Sequence, residues 1–261
     1  MHTSIHSDIS GRVVAALACL TISAALDTAP ADELPAAAYN WSGLYIGGHA
    51  GGAWAKGAAF SQLDELFLST RNQRVSLDES SFIGGAHAGY NWLVTQSWLA
   101  GIEADISWTD SSALGTAPNL DPPTGQPFPG GFLWARDVNW LASIRGRIGY
   151  LVTPPVLLYF TGGIAWTDID YRGSYTEGGG STEVSAFSET ETGYVLGGGL
   201  EWMLSRNWLL RGEYLHYGFG SASVINHNPL FLPDPIYDIR LVWDDTEIQV
   251  GRVGLSYKFD N

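Results

Sequence analysis

The sequence predicts an all-β fold: an eight-stranded antiparallel up-and-down transmembrane β-barrel with four long surface loops and short turns at the opposite, periplasmic end. Three observations predict it. Segments of about ten residues each alternate apolar and polar side chains with a period of two. The connections between them are alternately short and long. After Asp32 no uncharged apolar stretch reaches the roughly 18 residues that a membrane helix needs.

The predicted strands occupy eight segments in chain order: 41–55, 81–92, 98–108, 138–150, 156–166, 192–202, 207–217 and 246–259. Short links suited to tight turns follow at 93–97, 151–155 and 203–206. The long links are polar, acidic or rich in glycine and proline, which is typical of surface loops; they are 56–80, 109–137, 167–191 and 218–245. Short turns at one end and long loops at the other indicate a barrel of the outer-membrane kind.

The third segment indicates which face of a strand is apolar. Trp98, Ile102 and Trp108 share one face, whereas Glu103 and Asp105 share the other. At about 3.3 Å per residue and a tilt of about 40°, the two tryptophans are separated by roughly 25 Å of height, which matches the apolar band of a membrane barrel. A half-buried soluble sheet is the alternative. The predicted interfacial aromatic belt comprises Trp98, Trp108, Trp140, Tyr150, Trp166, Trp202, Trp208, Tyr257 and Phe259.

If the apolar rows face lipid, the charged side chains of the strands point into the barrel. The predicted lumen charge network comprises Glu103, Asp105, Arg145, Arg147, Glu201, Arg211, Glu213 and Arg252, with Lys258 on the same face of the last strand. Because the third and fourth strands are neighbours, Glu103 and Asp105 are expected opposite Arg145 and Arg147. An eight-stranded barrel is just wide enough for side chains to fill, so these charges are expected to pair and plug it. A charged constriction that selects ions is the alternative.

Composition excludes several classes of protein. The 261 residues carry 13 basic and 27 acidic side chains, a formal net charge of -14. This charge argues against broad binding to nucleic acid or anionic lipid, so no nucleic-acid partner is expected. With 45% hydrophobic and 13% aromatic residues, the chain is too apolar to be disordered.

The beginning of the chain has the pattern of an export signal. Arg12 precedes an apolar run over 13–26, and the small residues Ala29 and Ala31 follow. Cys19, the single cysteine, would leave with the signal, which excludes a disulfide scaffold. The predicted division of the chain is a signal peptide over 1–31, a short N-terminal lead over 32–40 and a β-barrel over 41–261.

Several motifs resemble one family of bacterial proteins. They are Trp41-Ser42-Gly43-Leu44-Tyr45-Ile46-Gly47-Gly48, Phe82-Ile83-Gly84-Gly85, Gly89-Tyr90-Asn91-Trp92, Ser143-Ile144-Arg145-Gly146-Arg147-Ile148-Gly149-Tyr150, Glu213-Tyr214 and Arg252-Val253-Gly254-Leu255-Ser256-Tyr257-Lys258-Phe259. In order and spacing they resemble the small outer-membrane β-barrels of alphaproteobacteria, the immunogenic outer-membrane or porin-family proteins, whose relatives include hemin-binding surface proteins. The resemblance implies an eight-stranded barrel inserted by the assembly machinery that reads a terminal aromatic strand.

The last strand has two irregularities. Asp260-Asn261 follow Phe259, so the terminal aromatic residue is displaced from the end of the chain. Ile248 and Val250 have the opposite parity to the apolar residues that follow them, which predicts a β-bulge or a strand that begins after Val250.

Residues with catalytic or ligand chemistry form no recognised motif. His49 and His87 have lumen parity, and His216 and His227 lie near or in the fourth long link, so binding of haem or a transition metal is a minor alternative to polar filling. No Gly-x-Ser-x-Gly elbow is present, and neither enzyme activity nor a cofactor or metal is expected. Acidic pairs such as Asp244-Asp245 are expected to be solvated, with divalent ions that bridge lipopolysaccharide as the alternative.

The function expected from the sequence is structural: a barrel in the Gram-negative outer membrane that supports envelope integrity and displays surface loops. Two alternatives remain, a small-solute porin and a surface receptor that binds haem or a host ligand. The expected partners are outer-membrane lipid, lipopolysaccharide and, through the C-terminal strand, the barrel assembly machinery. Haem or host-surface ligands would be reached through the loops.

Overall fold

The computed structural model describes residues 39–63, 70–226 and 239–259. The predicted signal peptide, most of the lead, His227 and Asp260-Asn261 lie outside these residues. Within the described part, no helix has the length and apolar character needed to cross a membrane.

Twelve strands are present in the described part of the chain: β1 (Gly43–Lys56), β2 (Ala58–Leu63), β3 (Arg74–Ser76), β4 (Glu79–Leu93), β5 (Trp98–Leu120), β6 (Pro127–Thr153), β7 (Val156–Thr176), β8 (Thr182–Met203), β9 (Trp208–Phe219), β10 (Ala222–Asn226), β11 (Ile239–Trp243) and β12 (Thr246–Lys258). Eight of them close into a barrel in the order β1-β12-β9-β8-β7-β6-β5-β4. All neighbours in the ring are antiparallel, and the short links lie at one end. The predicted fold class is confirmed.

The other four strands form a second sheet in the order β10-β11-β2-β3. Each is separated from a barrel strand by a break of one or two residues, so this sheet continues one half of the barrel wall upward. The other half continues as the upper parts of β5 to β8, which pair with one another to the ends of those strands. We use the name head for these two layers together. The head comprises the second sheet and residues 109–139 and 167–193.

The long connections lie at one end of the barrel as predicted, but their predicted boundaries were wrong because most of their described residues are in strands. The physical reason is a second apolar core. Phe132, Trp134 and Tyr171 point inward from one layer of the head, and Leu241 and Trp243 point inward from the other. Burial of these side chains stabilises strand structure in segments whose glycine, proline and acidic residues had indicated loops.

The wall between the periplasmic turns and the head turns its apolar face outward. Ile102, Ile148 and Leu200 are 48%, 54% and 54% exposed, whereas Glu103 is 2% exposed. The aromatic residues of the predicted belt lie in two rings, since Trp98 lies opposite Tyr150 and Trp108 opposite Trp140. The periplasmic ring also holds Trp202, Trp208, Tyr257 and Phe259, and Trp166 lies beside Trp140 in the upper ring. The apolar surface is therefore bounded by aromatic residues at both ends.

The bulge or late start predicted for the last strand is wrong. β12 pairs without a register shift from Thr246 to Tyr257, and Ile248 and Val250 are 2% and 0% exposed inside the barrel. Their parity is opposite to that of the lipid-facing Val253 because the upper lumen is itself apolar. The register shifts are instead in the pairing of β5 with β6, at 108–111 and 118–119 of β5, and in the pairing of β6 with β7, at 138–140 and 151–153 of β6.

Candidate functional site

Eight charged side chains fill the middle of the barrel lumen. Four arginines and four carboxylates project inward from five of the strands, and all eight are buried: Glu103 and Asp105 on β5, Arg145 and Arg147 on β6, Glu201 on β8, Arg211 and Glu213 on β9, and Arg252 on β12. Their formal charges cancel. A buried charge is tolerated only when it is paired and hydrogen-bonded, so the contacts of each group decide what this site does.

Glu103 lies at the centre of the first group of contacts. It faces Arg145 directly across the β5–β6 pair. Arg145 Nη2 lies 2.5 Å from Glu103 Oε1, and Arg211 Nη1 lies 2.6 Å from Glu103 Oε2. The Tyr45 hydroxyl donates to Oε2 at 2.7 Å. One carboxylate therefore holds side chains from three other strands.

Glu213 forms a second centre and shares Arg145 with the first. Arg145 Nη1 lies 3.0 Å from Glu213 Oε1, and Arg252 Nη2 lies 2.7 Å from Glu213 Oε2. The Tyr159 hydroxyl donates to Oε1 at 2.9 Å. Because Arg145 bridges Glu103 and Glu213, the two centres form one network that crosses the lumen.

Arg147 and Asp105 complete the network. Arg147 lies opposite Gly101 and reaches past β7 to Glu201 on β8, with Nη1 at 3.0 Å from Oε1 and Nη2 at 2.8 Å from Oε2. Asp105 lies opposite Ser143 and accepts from Arg252 Nη1 at 3.1 Å. Glu103 thus lies opposite Arg145 as expected, and Asp105 Oδ1 lies 3.7 Å from Arg145 Nη2. Arg147 Nη1 lies 3.7 Å from Glu103 Oε2.

Two histidines occupy the lumen beside these charges. His49 Nε2 lies 3.1 Å from Arg252 Nη1 and 2.7 Å from Ser107 Oγ. A guanidinium only donates, so this nitrogen accepts and the His49 proton is on Nδ1, which faces His87 Nδ1 at 3.2 Å. His87 then accepts at Nδ1 and donates from Nε2 to Ser256 Oγ at 2.7 Å. The contacts therefore fix two neutral rings in a directional chain.

Glycines on the inner wall make room for these large side chains. A Cβ atom on Gly89 would lie 2.3 Å from the Tyr45 hydroxyl oxygen, and one on Gly47 would lie 2.6 Å from His87 Nε2. Both distances are far below van der Waals contact. The close approach of the polar side chains to the opposite backbone thus requires the absence of a side chain at these positions.

Apolar layers close the lumen above and below the network. On the periplasmic side Trp41, Leu99, Leu157, Met203 and Leu209 pack together with Tyr159, and Trp41 Nε1 donates to Pro154 O at 3.0 Å. On the other side the inward residues of the upper barrel join the apolar core of the head. The charged layer is therefore enclosed between two apolar layers.

The chain matches a described family over most of its length. The family model described as "Outer membrane protein beta-barrel domain" matches residues 13–259. The chain belongs to this family. It is an outer-membrane β-barrel protein of a Gram-negative bacterium, and its outward apolar face contacts membrane lipid.

Proteins with similar sequences are also named as outer-membrane proteins. The "31 kDa outer-membrane immunogenic protein" of Brucella melitensis biotype 1 is 30% identical over 233 residues, which cover 86% of each chain. The "22 kDa outer membrane protein" of Rhizobium leguminosarum bv. viciae is 28% identical over 183 residues, covering 70% of this chain and 66% of the relative. The crystal structure of Neisserial surface protein A covers 84% of this chain and 98% of its own, with 17% identity and a TM-score of 0.39. The predicted family, the small outer-membrane barrels of alphaproteobacteria, is confirmed.

One buried cation of this outer-membrane barrel was not predicted from the sequence. Arg136 lies in a segment that was predicted as a loop, yet it is 1% exposed. Its Nη1 donates to Thr246 Oγ1 at 3.0 Å and its Nη2 to Leu77 O at 2.9 Å, with Glu79 Oε1 at 3.4 Å. Extension of the β6 alternation past Trp140 would have required knowledge of the register shift at 138–140.

Other candidate residues lie apart from the network. Lys258 is buried near the periplasmic end and donates to Phe259 O at 3.3 Å. His216 contacts Tyr194 on the other face of the wall, with 3.4 Å between the hydroxyl oxygen and Nε2. The part of the chain that the structure describes contains no group of three or more His, Cys, Asp or Glu side chains arranged for a metal ion.

Proposed function

We propose that this outer-membrane protein is a structural barrel with a plugged lumen, which supports envelope integrity and presents its folded head at the cell surface. One observation carries the proposal: the lumen is filled at three successive levels by apolar, charged and apolar side chains. A barrel of this width has no room for solutes beside such side chains.

The electrostatics of the plug favour this function over the small-solute porin. The four arginines and four carboxylates balance in formal charge, and the Arg145–Glu213 and Arg211–Glu103 ion pairs cross the lumen rather than line it. An ion pathway instead needs side chains of one sign around open space. The haem-receptor alternative also loses support, since both ring nitrogens of His49 and His87 are already engaged with neighbouring side chains.

The proposed partners follow from the two ends of the barrel. The outward aromatic rings of Tyr257 and Phe259 at the end of β12 are the features that we propose the barrel assembly machinery reads. Lipopolysaccharide would surround the outer wall above Trp108 and Trp140. The head, which stands beyond that aromatic ring, would carry any contact with host molecules. We propose no catalytic role for any residue.

Gene deletion in the source bacterium tests the proposed function. We expect the deletion strain to become more sensitive to detergents and to large antibiotics, because an envelope component is lost, while the influx of small hydrophilic solutes stays unchanged. Complementation with the wild-type gene should restore resistance. Unchanged detergent resistance together with slower influx of small solutes would instead establish a porin.

A further inference from the structure

The head has two seams where neighbouring strands separate. The β8–β9 pairing ends at Tyr194 and Gly218, and the β4–β5 pairing ends at Ile83 and Thr109. Above these points β10 pairs with β11 and β3 pairs with β2, whereas neither pairs with the adjacent long strand in the described part of the chain. One seam therefore runs between β3 and β5, and the other runs between β8 and β10.

The β3/β5 seam is closed by apolar side chains. A Cβ atom on Gly115 would lie 2.6 Å from Val75 Cγ2 and 3.0 Å from Leu77 Cδ2, so these side chains fill the space between the strands. Ala113 and Ala117, the inward neighbours of Gly115 on β5, are 4% and 9% exposed. Along the described part of this side, the interior of the head is therefore covered by apolar side chains.

The β8/β10 seam is bridged at its upper end, where the Ser185 hydroxyl donates to Asn226 Oδ1, and it is open to solvent below that contact. On β7 the inward residues Ile169 and Tyr171 are 0% and 1% exposed. Their cross-strand partners on β8, Glu189 and Phe187, are respectively exposed and half-buried although they point to the same side of the wall. Across the seam, Val224 of β10 is also half-buried. An interior surface of the head is therefore accessible at this seam.

An acidic side chain and a cluster of aromatic side chains lie at the β8/β10 seam. Glu191 is 9% exposed, and its Oε1 accepts a short hydrogen bond from the Tyr171 hydroxyl. Its Oε2 is buried without a hydrogen-bond partner among the described residues. Tyr171, Phe187 and Trp243 are in mutual contact, with ring centroids 5.1 to 5.8 Å apart. A buried acceptor oxygen without a donor is costly and indicates a missing partner.

The charged groups around Glu191 indicate whether the missing partner of Oε2 is a cation or an anion. Glu189 and Asp245 add negative potential at Glu191, and Arg136 adds positive potential. The Arg136 guanidinium is already engaged, however, with Thr246 Oγ1 at 3.0 Å and Leu77 O at 2.9 Å. The partner that fits is therefore cationic and comes from outside the described residues.

We propose that the β8/β10 seam binds an organic cation, an ammonium or guanidinium group attached to an apolar body. The exposed Glu189 carboxylate and Glu191 Oε2 pair with the charge, and the half-buried Phe187 and Val224 contact the apolar body, with the buried rings of Tyr171 and Trp243 packed behind them. A bare metal ion fits less well, because aromatic rings supply no metal ligands.

Calorimetric titration tests this proposal with the full-length protein in detergent micelles. The probe is benzylamine at about pH 7.5, where an aliphatic amine is protonated; benzyl alcohol is its neutral analogue. The test variant is Glu191→Gln, and Glu189→Gln is the second variant because an exposed side chain is not needed for folding. The matched control is Glu247→Gln, which removes one exposed carboxylate from β12. A heat-induced shift in gel mobility checks that each barrel is folded.

We expect benzylamine to bind the wild type and Glu247→Gln equally and to bind Glu191→Gln about tenfold more weakly, because a charge-assisted hydrogen bond is lost. Glu189→Gln should weaken binding in the same direction, and benzyl alcohol should bind more weakly than benzylamine. The proposal is overturned if benzylamine gives no heat beyond the detergent blank, if both seam variants bind it like the wild type, or if benzyl alcohol binds equally well.

Discussion

Replacement of Glu103 by alanine should strongly destabilise the barrel, because three close donors converge on its carboxylate. Among the described residues, the substitution leaves Arg211 Nη1 with Glu201 Oε1, at 3.6 Å, as its ion-pair partner, whereas Arg145 keeps Glu213 at 3.0 Å. One guanidinium thus loses its short partner inside the lumen. Removal of one member of a buried ion pair costs about 3–5 kcal/mol. We expect the free energy of unfolding to fall by about 4 kcal/mol.

Urea unfolding of the barrel in phospholipid vesicles measures this loss, with tryptophan fluorescence and gel mobility as independent signals. The matched control, Asp110→Ala, removes an exposed carboxylate from the same strand and should change the free energy by about 0.5 kcal/mol or less. Combination of Glu103→Ala with Arg211→Ala should cost less than the sum of the two single changes, because the double variant leaves no unpaired charge. A loss below about 1 kcal/mol, or strict additivity, would refute the buried network as we describe it.

Three further predictions test other parts of the structure. Ile102→Arg, at the middle of the outer wall of β5, should destabilise the barrel by about 2–4 kcal/mol in the same urea assay, whereas Leu114→Arg, on the outer face of the head, should cost almost nothing because only the first site contacts hydrocarbon. Gly89→Ala should cost about 1–3 kcal/mol through overlap with the buried tyrosine hydroxyl, and Gly212→Ala, where no atom lies within 4 Å of the added Cβ, should be neutral; equal midpoints would contradict the filled lumen. Burial raises the pKa of Glu191 above its ordinary value, more than the tyrosine hydrogen bond lowers it, so ionisation destabilises the folded state. Glu191→Gln should therefore raise the urea midpoint at about pH 8, and this gain should disappear as the pH falls towards about 4.3, the ordinary pKa of glutamate.

The parity of the strands was predictable from the sequence because lipid and lumen impose opposite chemistry on alternate residues. On β5 the assignment of Ile102 outward and Glu103 inward needed no more than the period of two. Because β5 and β6 are consecutive strands of the barrel with the same alternation, Glu103 was also expected opposite an arginine of β6, and it faces Arg145. The rule that apolar residues face outward failed at Ile248 and Val250, because they belong to the apolar layer that closes the lumen.

Two features of the site depend on three-dimensional information that the sequence does not contain. Arg147 on β6 pairs with Glu201 on β8 past the intervening strand, and a linear pattern does not show which side chains of non-neighbouring strands meet inside a lumen. The strands of the head were not predicted, because register shifts at 108–111 in β5 and at 138–140 in β6 interrupt the alternation. These shifts separate Trp134 and Arg136 from the regular part of β6. Their inward direction becomes apparent only when both layers of the head are in place.

The most direct test of the central claim is the electrical conductance of the purified wild-type barrel in a planar lipid bilayer. Its folded state is first verified by the heat-induced shift in gel mobility. The three filled layers predict a bilayer that stays insulating after insertion, without discrete current steps. Stable, reproducible current steps from the folded wild-type protein would contradict the plugged lumen and would favour the small-solute porin.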